Sequence, residues 1–441
     1  MDTNDIKRLL QKIVPRKASP QAIEYARIVN GVIYATDLDK EIEIDTGLSG
    51  LDGFLDVKLF YKSLRLESSM SRLEFDTWPD SIVEPGEFKR IAVCDYPKED
   101  IFNSVKFSKF SPYIEIDKNR PCLNGVFFDA ERGGKLVAVD GYTFIAENNP
   151  GVVKSFVLPE YTFTIIDRLP EIKEARLYRI TSVYNTEKEK WEEKTFEIPD
   201  YSNAEEVKYK KIPTYYDFLE LRGEGFVFRT RLLNDSIYLD YPKLIPEYSG
   251  ALRVLSKEQI EIYITALKQI QPFTNEKTRL VMIYKNRIIT RQDDLYRRVD
   301  LPFTPAPTEY ERWVKGEEGY AVQETDEYFL VGFNCDYLIR VLTEALTIPS
   351  DTVTINYPQT VRTACVIPNK EKTLLIMPIV AVGEHDFDNQ SMECLPLEHP
   401  AQVKKATKPK LDRRIEKLCL AMQQEKGVNV VLNILQGVDL I

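Results

Sequence analysis

The sequence predicts an α+β fold of three repeated domains, each an antiparallel sheet with its helices on one face. Three observations carry that expectation. Alternating apolar stretches that turn and resume start near residues 27, 125 and 279, and each ends beside paired acidic or Asp-Gly residues. A unit used three times in one chain points to a repeated supersecondary element. The length of 441 residues is long for one core and suits about three domains of roughly 100–150 residues. Finally, the order helix, strands, helix, strands is joined by tight turns, not by the long crossovers that parallel strands require.

The elements follow from local pattern. Ile6, Leu9, Leu10 and Ile13 share one face of a first helix, which Pro15 stops. Alternation from Ala26 to Asp45 predicts strands, with Asn30-Gly31 as the hairpin turn. A short helix is expected from Asp56 to Leu64 and a strand from Ser71 to Asp76, completing a first domain over 1–97. Pro97 suits a helix start, with Ile101, Phe102 and Val105 as its apolar face. The second domain, 98–250, continues through the Gly125 hairpin, the Gly133-Gly134 turn and a helix carrying Phe163, Ile166 and Leu169. Within it, the charged and aromatic stretch from about 184 to 225 reads as an insert, an elaborated loop or an extra hairpin. Ser256 and Gln259 form a capping-box pattern ahead of Ile260, Tyr263, Ile264 and Leu267, opening a third domain over 251–383. Asn334 then caps a helix whose apolar face is Tyr337, Leu338, Val341 and Leu342, and Thr352 to Ile355 resumes strand alternation. Residues 384–441 read as a tail, poorly structured at its start, with a basic helix and an apolar end.

Composition narrows the function. An apolar share of 43% and a charged share of 29% are ordinary for globular domains. Lys and Arg number 59 against 69 Asp and Glu, a formal charge of −10. That argues against a protein that coats nucleic acid with a basic surface, though not against a local basic face. No run of about 18 apolar residues occurs and the N-terminus lacks the pattern of a signal peptide. The six cysteines are widely spaced without a Cys-x-x-Cys pair and read as reduced thiols, so a cytoplasmic protein without a membrane span is expected.

Enzyme chemistry is nowhere indicated. The two histidines, His385 and His399, both fall in the tail, which argues against a buried Ser-His-Asp or Cys-His site. Gly133-Gly134-Lys135 is too short for a phosphate loop and reads as a turn. Asp37 with Asp39 and Asp293 with Asp294 sit at hairpin ends, where carboxylates satisfy turn amides, and this is preferred over a cation site. No catalytic residue, metal site or cofactor is expected.

The stretch Leu123 to Glu131, followed by Leu136 to Ala146 with its Asp140-Gly141 turn, closely resembles the middle domain of the bacterial beta sliding clamps. The match resumes at Tyr238 to Pro246, Thr274 to Lys277, Phe333 to Leu338 and Ile376 to Ile379. The chain thus resembles a divergent bacterial or phage beta sliding clamp, a DNA polymerase processivity factor. The first 97 residues match in plan and are shorter, while the insert and tail have no usual counterpart. The resemblance implies the DNA-clamp fold and a head-to-tail homodimer closed into a ring around double-stranded DNA, with a replicative DNA polymerase and a clamp loader as partners. A ring that slides holds DNA by topology, because strong phosphate neutralisation would make it grip. Net acidity is consistent with that. The cations expected to face DNA are Lys7, Arg8 and Lys12 on the first helix, Lys58 and Lys62 on the second, and Lys98, Lys106 and Lys109 on the third. Arg168, Lys257, Lys268 and Arg340 are the candidates on the other three; ordinary solvated faces are the alternative.

The resemblance also implies a hydrophobic pocket between the second and third domains that takes short partner peptides by their Leu and Phe anchors. Its matching positions are Leu123, Gly141, Tyr142, Phe144, Leu239, Lys243, Leu244, Val361, Thr363, Leu375, Met377, Pro378 and Ile379. Tyr142 stands where the family has histidine, Thr143 and Lys243 where it has arginine, and Val139 where it has threonine. For Leu123, Phe144 and Leu375 plain core packing is the competing reading. The end Gln436, Leu440 and Ile441 is similar to a clamp-binding peptide with a longer spacer, and the tail is a candidate for docking in a clamp pocket, its own or a host's, or for packing on the body as a terminal strand or helix. Lys404, Lys405, Lys408, Lys410, Arg413, Arg414 and Lys417 either touch DNA or form a solvated face. A non-encircling adaptor that keeps the fold is the alternative function, and a hydrolase hidden in the insert is the remote one.

Overall fold

The computed structural model describes residues 2–17, 21–62, 66, 69–71, 88–96, 101–116, 120–185, 190–193, 195–200, 208–213, 216–233, 238–246, 251–292, 295–306, 309–316, 319–328, 330–357, 364–379 and 391–397. The expected strand after Ser71, the positions Lys98, Asp293, Asp294, Val361, Thr363, His385 and His399, and the whole tail from Lys404 to Ile441 lie outside them. The chain divides into two compact units: Met1–Tyr248 with Ala364–Met377, and Ser249–Thr363 with Pro378–Ile441.

In the first unit, helix α1 (Thr3–Ile13) starts on Asp2, whose side chain accepts from the Asp5 amide at 2.8 Å. Ile6, Leu9, Leu10 and Ile13 are buried, as their spacing predicts. Helix α2 (Val57–Lys62) packs beside α1 and is shorter than the predicted Asp56–Leu64. The strands Ala26–Val29, Val32–Thr36 and Lys40–Asp45 form an antiparallel meander. Its first turn places Asn30 at φ 47° and Gly31 at φ 78°, the left-handed pair that a two-residue hairpin requires. These strands belong to one nine-stranded sheet with Gly53–Leu55, Phe226–Arg231, Tyr216–Gly223, Ile172–Asn185, Lys190–Glu193 and Phe88–Tyr96.

That sheet takes in part of the stretch 184–225. Tyr216–Gly223 is an inner strand of it, with Phe218, Leu219 and Leu221 fully buried. The expectation stopped at Gly225 because charged residues alternate with the apolar ones there, and that alternation is the signature of a sheet with one polar face. Among the described residues of that stretch, Lys190–Glu193 extends the sheet and Thr195–Asp200 pairs with Lys208–Pro213 in a separate hairpin.

The unit's second sheet runs, in order, Cys365–Ile367, Lys372–Ile376, Thr143–Asn148, Lys135–Val139, Gly125–Asp129 and Phe156–Pro159, each pair antiparallel. Alternation sends Phe128 to one face, where it stacks within 6 Å of Phe102, Phe107 and Phe156. Those rings come from α3 (Ile101–Ser104), the 3₁₀ segment Phe107–Tyr113 and the last strand, with α4 (Phe163–Ile166) adding Phe163 beside Phe107. The helices of this sheet therefore sit on one side. Phe127 points to the other.

In the second unit α5 (Lys257–Ile270) carries the predicted capping box in full: Ser256 Oγ accepts from the Gln259 amide at 3.2 Å and Gln259 Oε1 from the Ser256 amide at 2.9 Å. Helix α6 (Cys335–Ala345) begins on Asn334, whose side chain accepts from the Asp336 and Tyr337 amides. The two helices pack together. The third predicted hairpin is Leu280–Tyr284 with Arg287–Gln292, flanked in one sheet by Leu330–Asn334 and Leu295–Asp300. Ala251–Ser256 pairs with Thr352–Tyr357, and Glu309–Gly316 with Gly319–Tyr328. Within the stretch read as a tail, Glu393–Leu395 adds a short strand in parallel to Leu295–Asp300. Three residues carry too little periodicity to be recognised in sequence.

Candidate functional site

The Asp140 turn sets the geometry of the site. Asp140 Oδ1 accepts from the amides of Tyr142 at 2.9 Å and Thr143 at 2.6 Å, and Oδ2 from Thr143 Oγ1 at 2.9 Å. Gly141 sits at φ 87° with open space around a would-be Cβ, so its requirement is conformational and not steric. The turn throws Tyr142 out to solvent and starts the strand that buries Phe144. Phe144 faces Leu375 across the ladder, and the Met377 amide donates to the Tyr142 carbonyl at 2.8 Å. Sequence positions more than 230 residues apart thus meet at one end of one sheet.

The segment Tyr238–Ile245 lies over the face opposite the helices. Tyr238 stacks on Phe127 at 4.4 Å between ring centroids, and Tyr241 lies tilted against Phe144 at 5.7 Å. The Tyr241 hydroxyl donates to Asp129 Oδ2 at 2.7 Å; burial and then Asp129 push its pKa up, so it stays a donor. Arg132 ties Asp129 to Asp240, each at 3.1 Å, and Lys243 pairs with Asp240 at 2.9 Å. Leu123, Val139, Phe144, Tyr238, Tyr241, Ala364, Val366 and Leu375 form one buried apolar cluster. Around it Tyr142 is 54% exposed, Leu239 39%, Leu244 38% and Met377 37%.

The candidate pocket residues therefore separate into two groups. Leu123, Phe144 and Leu375 are a buried floor, while Tyr142, Leu239, Leu244 and Met377 present apolar surface and Lys243 a charge beside them. Pro378 and Ile379 belong to the second unit, where the Ile379 amide donates to the Gly332 carbonyl at 2.8 Å. Sequence reasoning left out Tyr238, in the extended lead-in, and Tyr241, which opens the 3₁₀ turn Tyr241–Leu244; both rings pack into the buried cluster. It also left out Ala364 and Val366, which carry no signal of their own.

The cations do not behave alike. Lys7, unlike the other described candidates for facing DNA, is buried over the Phe60 ring, 5.0 Å from its centroid, because its position on α1 points toward α2. Lys109 is half-buried, pairs with Glu147 and lies over the Phe110 ring. Arg8, Lys12, Lys58, Lys62, Lys106, Arg168 and Lys268 are exposed, and Lys257 and Arg340 are intermediate, with Arg340 over the Tyr337 ring. Lys58 also pairs with Glu24 at 3.3 Å, and Lys106 donates to the Asp167 carbonyl at 3.1 Å. Lys12, Arg16 and Lys58 share the wall of a cavity of about 220 Å³.

Asp37 satisfies its own turn, accepting from the amides of Asp39 at 3.1 Å and Lys40 at 2.9 Å and pairing with the Lys40 ammonium. Among the described residues no three His, Cys, Asp or Glu side chains are grouped to hold a metal ion, and no helix is long and apolar enough to cross a membrane. Cys122, Cys335, Cys365 and Cys394 are free thiols, and burial pushes the Cys335 thiol up to about 12, which keeps it protonated.

No protein-family model matches the chain, and no characterised protein matches it by sequence. Solved structures do match. The sliding clamp (DNA polymerase III subunit beta) of Bartonella birtlesii, solved bound to griselimycin, superposes with a TM-score of 0.55 at 16% identity over 86% of this chain and 99% of that one. The DNA polymerase III beta subunit of Thermotoga maritima gives 0.54 at 15% identity, over 86% and 97%. The beta subunit of Streptococcus pyogenes DNA polymerase gives 0.54 at 14%, over 86% and 98%. The repeated antiparallel sheets, their helices and their order along nearly the full length of those proteins mean that this chain is built on the fold of the bacterial beta sliding clamps.

Proposed function

We propose that the protein is a sliding clamp: a homodimer joined head to tail that encircles double-stranded DNA and tethers a replicative DNA polymerase, giving it processivity without chemistry of its own. A clamp loader places it on DNA in the cytoplasm. Partners dock by short peptides on the face around Tyr142, Leu239, Leu244 and Met377. The single observation that carries this reading is that face, four exposed apolar side chains around a buried aromatic and aliphatic floor. Apolar surface of this kind, edged by Lys243, Asp240 and Arg132, suits a peptide's Leu and Phe anchors. Exposed cations on α1, α2 and α5 attract phosphates weakly enough to permit sliding.

Fluorescence anisotropy with a labelled short peptide carrying Leu and Phe anchors tests the docking face. The expected result is saturable binding, one peptide per chain, lost in Met377→Glu. No binding by the wild-type chain would overturn the reading.

A further inference from the structure

The strand Leu295–Asp300 is covered on its outer side by Glu393–Leu395 alone among the described residues. The cover is thin. It pairs over three positions, Arg297 with Glu393, Arg298 with Cys394 and Val299 with Leu395, and it runs parallel in a sheet whose other described ladders are antiparallel. Parallel pairing is slightly weaker per residue. Glu393 and Cys394 are exposed and Leu395 is partly so. Beyond the ladder, the cover is held by Arg297 Nε to Glu393 Oε2 at 2.8 Å, by Gln269 Nε2 donating to the Pro396 carbonyl at 3.1 Å, and by Met392, which packs against the buried cluster of Met282, Tyr284, Ile289 and Tyr296. The Arg297–Glu393 pair is half solvated, so it adds little. An uncovered six-residue edge, by contrast, offers a full row of backbone donors and acceptors to any extended strand.

We infer that Met392–Leu395 is an internal edge cover that competes with a second copy of this chain for the strand Leu295–Asp300. The inference rests on the ring reading above and adds its regulation. A head-to-tail assembly joins two different surfaces, one from each copy. The first unit offers a suitable partner edge: Phe88–Tyr96 is nine residues long and pairs on one side only among the described residues, with Ile172–Asn185. Its length exceeds the three-residue cover threefold, so an arriving strand replaces every lost hydrogen bond and adds more. With the cover seated the edge is closed, and the free chain is kept from pairing indiscriminately; with the cover displaced, the edge is open to its partner.

Glu393→Arg in the full chain tests this, because it sets like charges opposite Arg297, and Arg297→Glu combined with Glu393→Arg restores the pair. Sedimentation across a concentration series reads the dimer, and hydrogen exchange of the 295–300 amides reads the cover. Glu393→Arg is expected to speed exchange in the monomer and to lower the dimer dissociation constant at least tenfold, with the double swap returning both toward wild type. Faster exchange with an unchanged dimer constant would overturn the regulatory role while leaving the ring intact. Unchanged exchange would show that the cover is not displaceable. Monomers throughout would sink both this inference and the ring reading.

Discussion

Tyr142 and Met377 are joined by a backbone hydrogen bond, the Met377 amide donating to the Tyr142 carbonyl at 2.8 Å, and both side chains emerge into solvent at the same end of the sheet. The bond fixes the spacing of two apolar contacts that are remote in sequence. A surface so ordered loses little entropy when a peptide docks on it.

Leu244→Ala and Tyr142→Ala should each weaken peptide binding by roughly tenfold, about 1–2 kcal/mol, as truncated anchors of an interface do. Phe144→Ala should instead lower stability by about 3–5 kcal/mol, because it empties a fully packed position. Anisotropy titrations paired with thermal melts separate the two groups; equal effects on melting would contradict the division into rim and floor.

Gly141 and Gly31 both hold positive φ, yet they should respond differently to alanine. At Gly141 nothing lies within 4 Å of the added Cβ, so the cost is the left-handed conformation, about 1–2 kcal/mol. At Gly31 the Cβ would also fall 1.7 Å from the Leu48 carbonyl oxygen, and the loop must move. Denaturant melts should rank Gly31→Ala as clearly the more damaging.

Arg229 is buried among Glu41, Glu43 and Glu220, with Arg222 on the far side of Glu220. Burial works against its charge, but Glu41 and Glu43 more than offset that, so the guanidinium stays protonated. Arg229→Met should therefore cost about 3–5 kcal/mol at neutral pH by stranding carboxylates in the sheet. Burial alone would raise the Glu220 pKa, yet hydrogen bonds from Arg222 and Arg229 hold it below the usual value of 4.5, and Lys109 and Lys372 do the same for Glu147. A depressed carboxylate stabilises the fold above its unfolded pKa and loses that contribution as pH falls through the folded one. Urea melts should show wild-type stability falling as pH drops below about 4.5, with a shallower fall for Glu147→Gln.

Much of this was legible in the sequence. The helix faces of α1 and α5, the Ser256 capping box and the three hairpins rest on local rules, in which neighbours in sequence are neighbours in space. The Asp140 turn was legible for the same reason. What escaped was decided by tertiary pairing. The Tyr216–Gly223 strand is charged on one face because Arg229 and its carboxylates cross it, and so it reads as surface loop. Lys7 is written like a solvated helix residue, yet it is buried with the Phe60 ring of α2 beneath its ammonium.

That difference yields a prediction. Lys7→Gln should leave DNA binding unchanged while lowering the melting temperature, since it removes a buried cation–π contact worth about 0.5–2 kcal/mol. Reversing the exposed Lys12, Lys58 and Lys268 to Glu should weaken binding to short duplexes and flatten its salt dependence. Filter binding across a salt series distinguishes them.

The ring is the central claim, and the mass of the full chain in solution tests it most directly. Sedimentation equilibrium at micromolar concentration should give about 102 kDa, twice the 51.1 kDa chain. A mass that stays at that of a single chain across the whole concentration range would contradict the account.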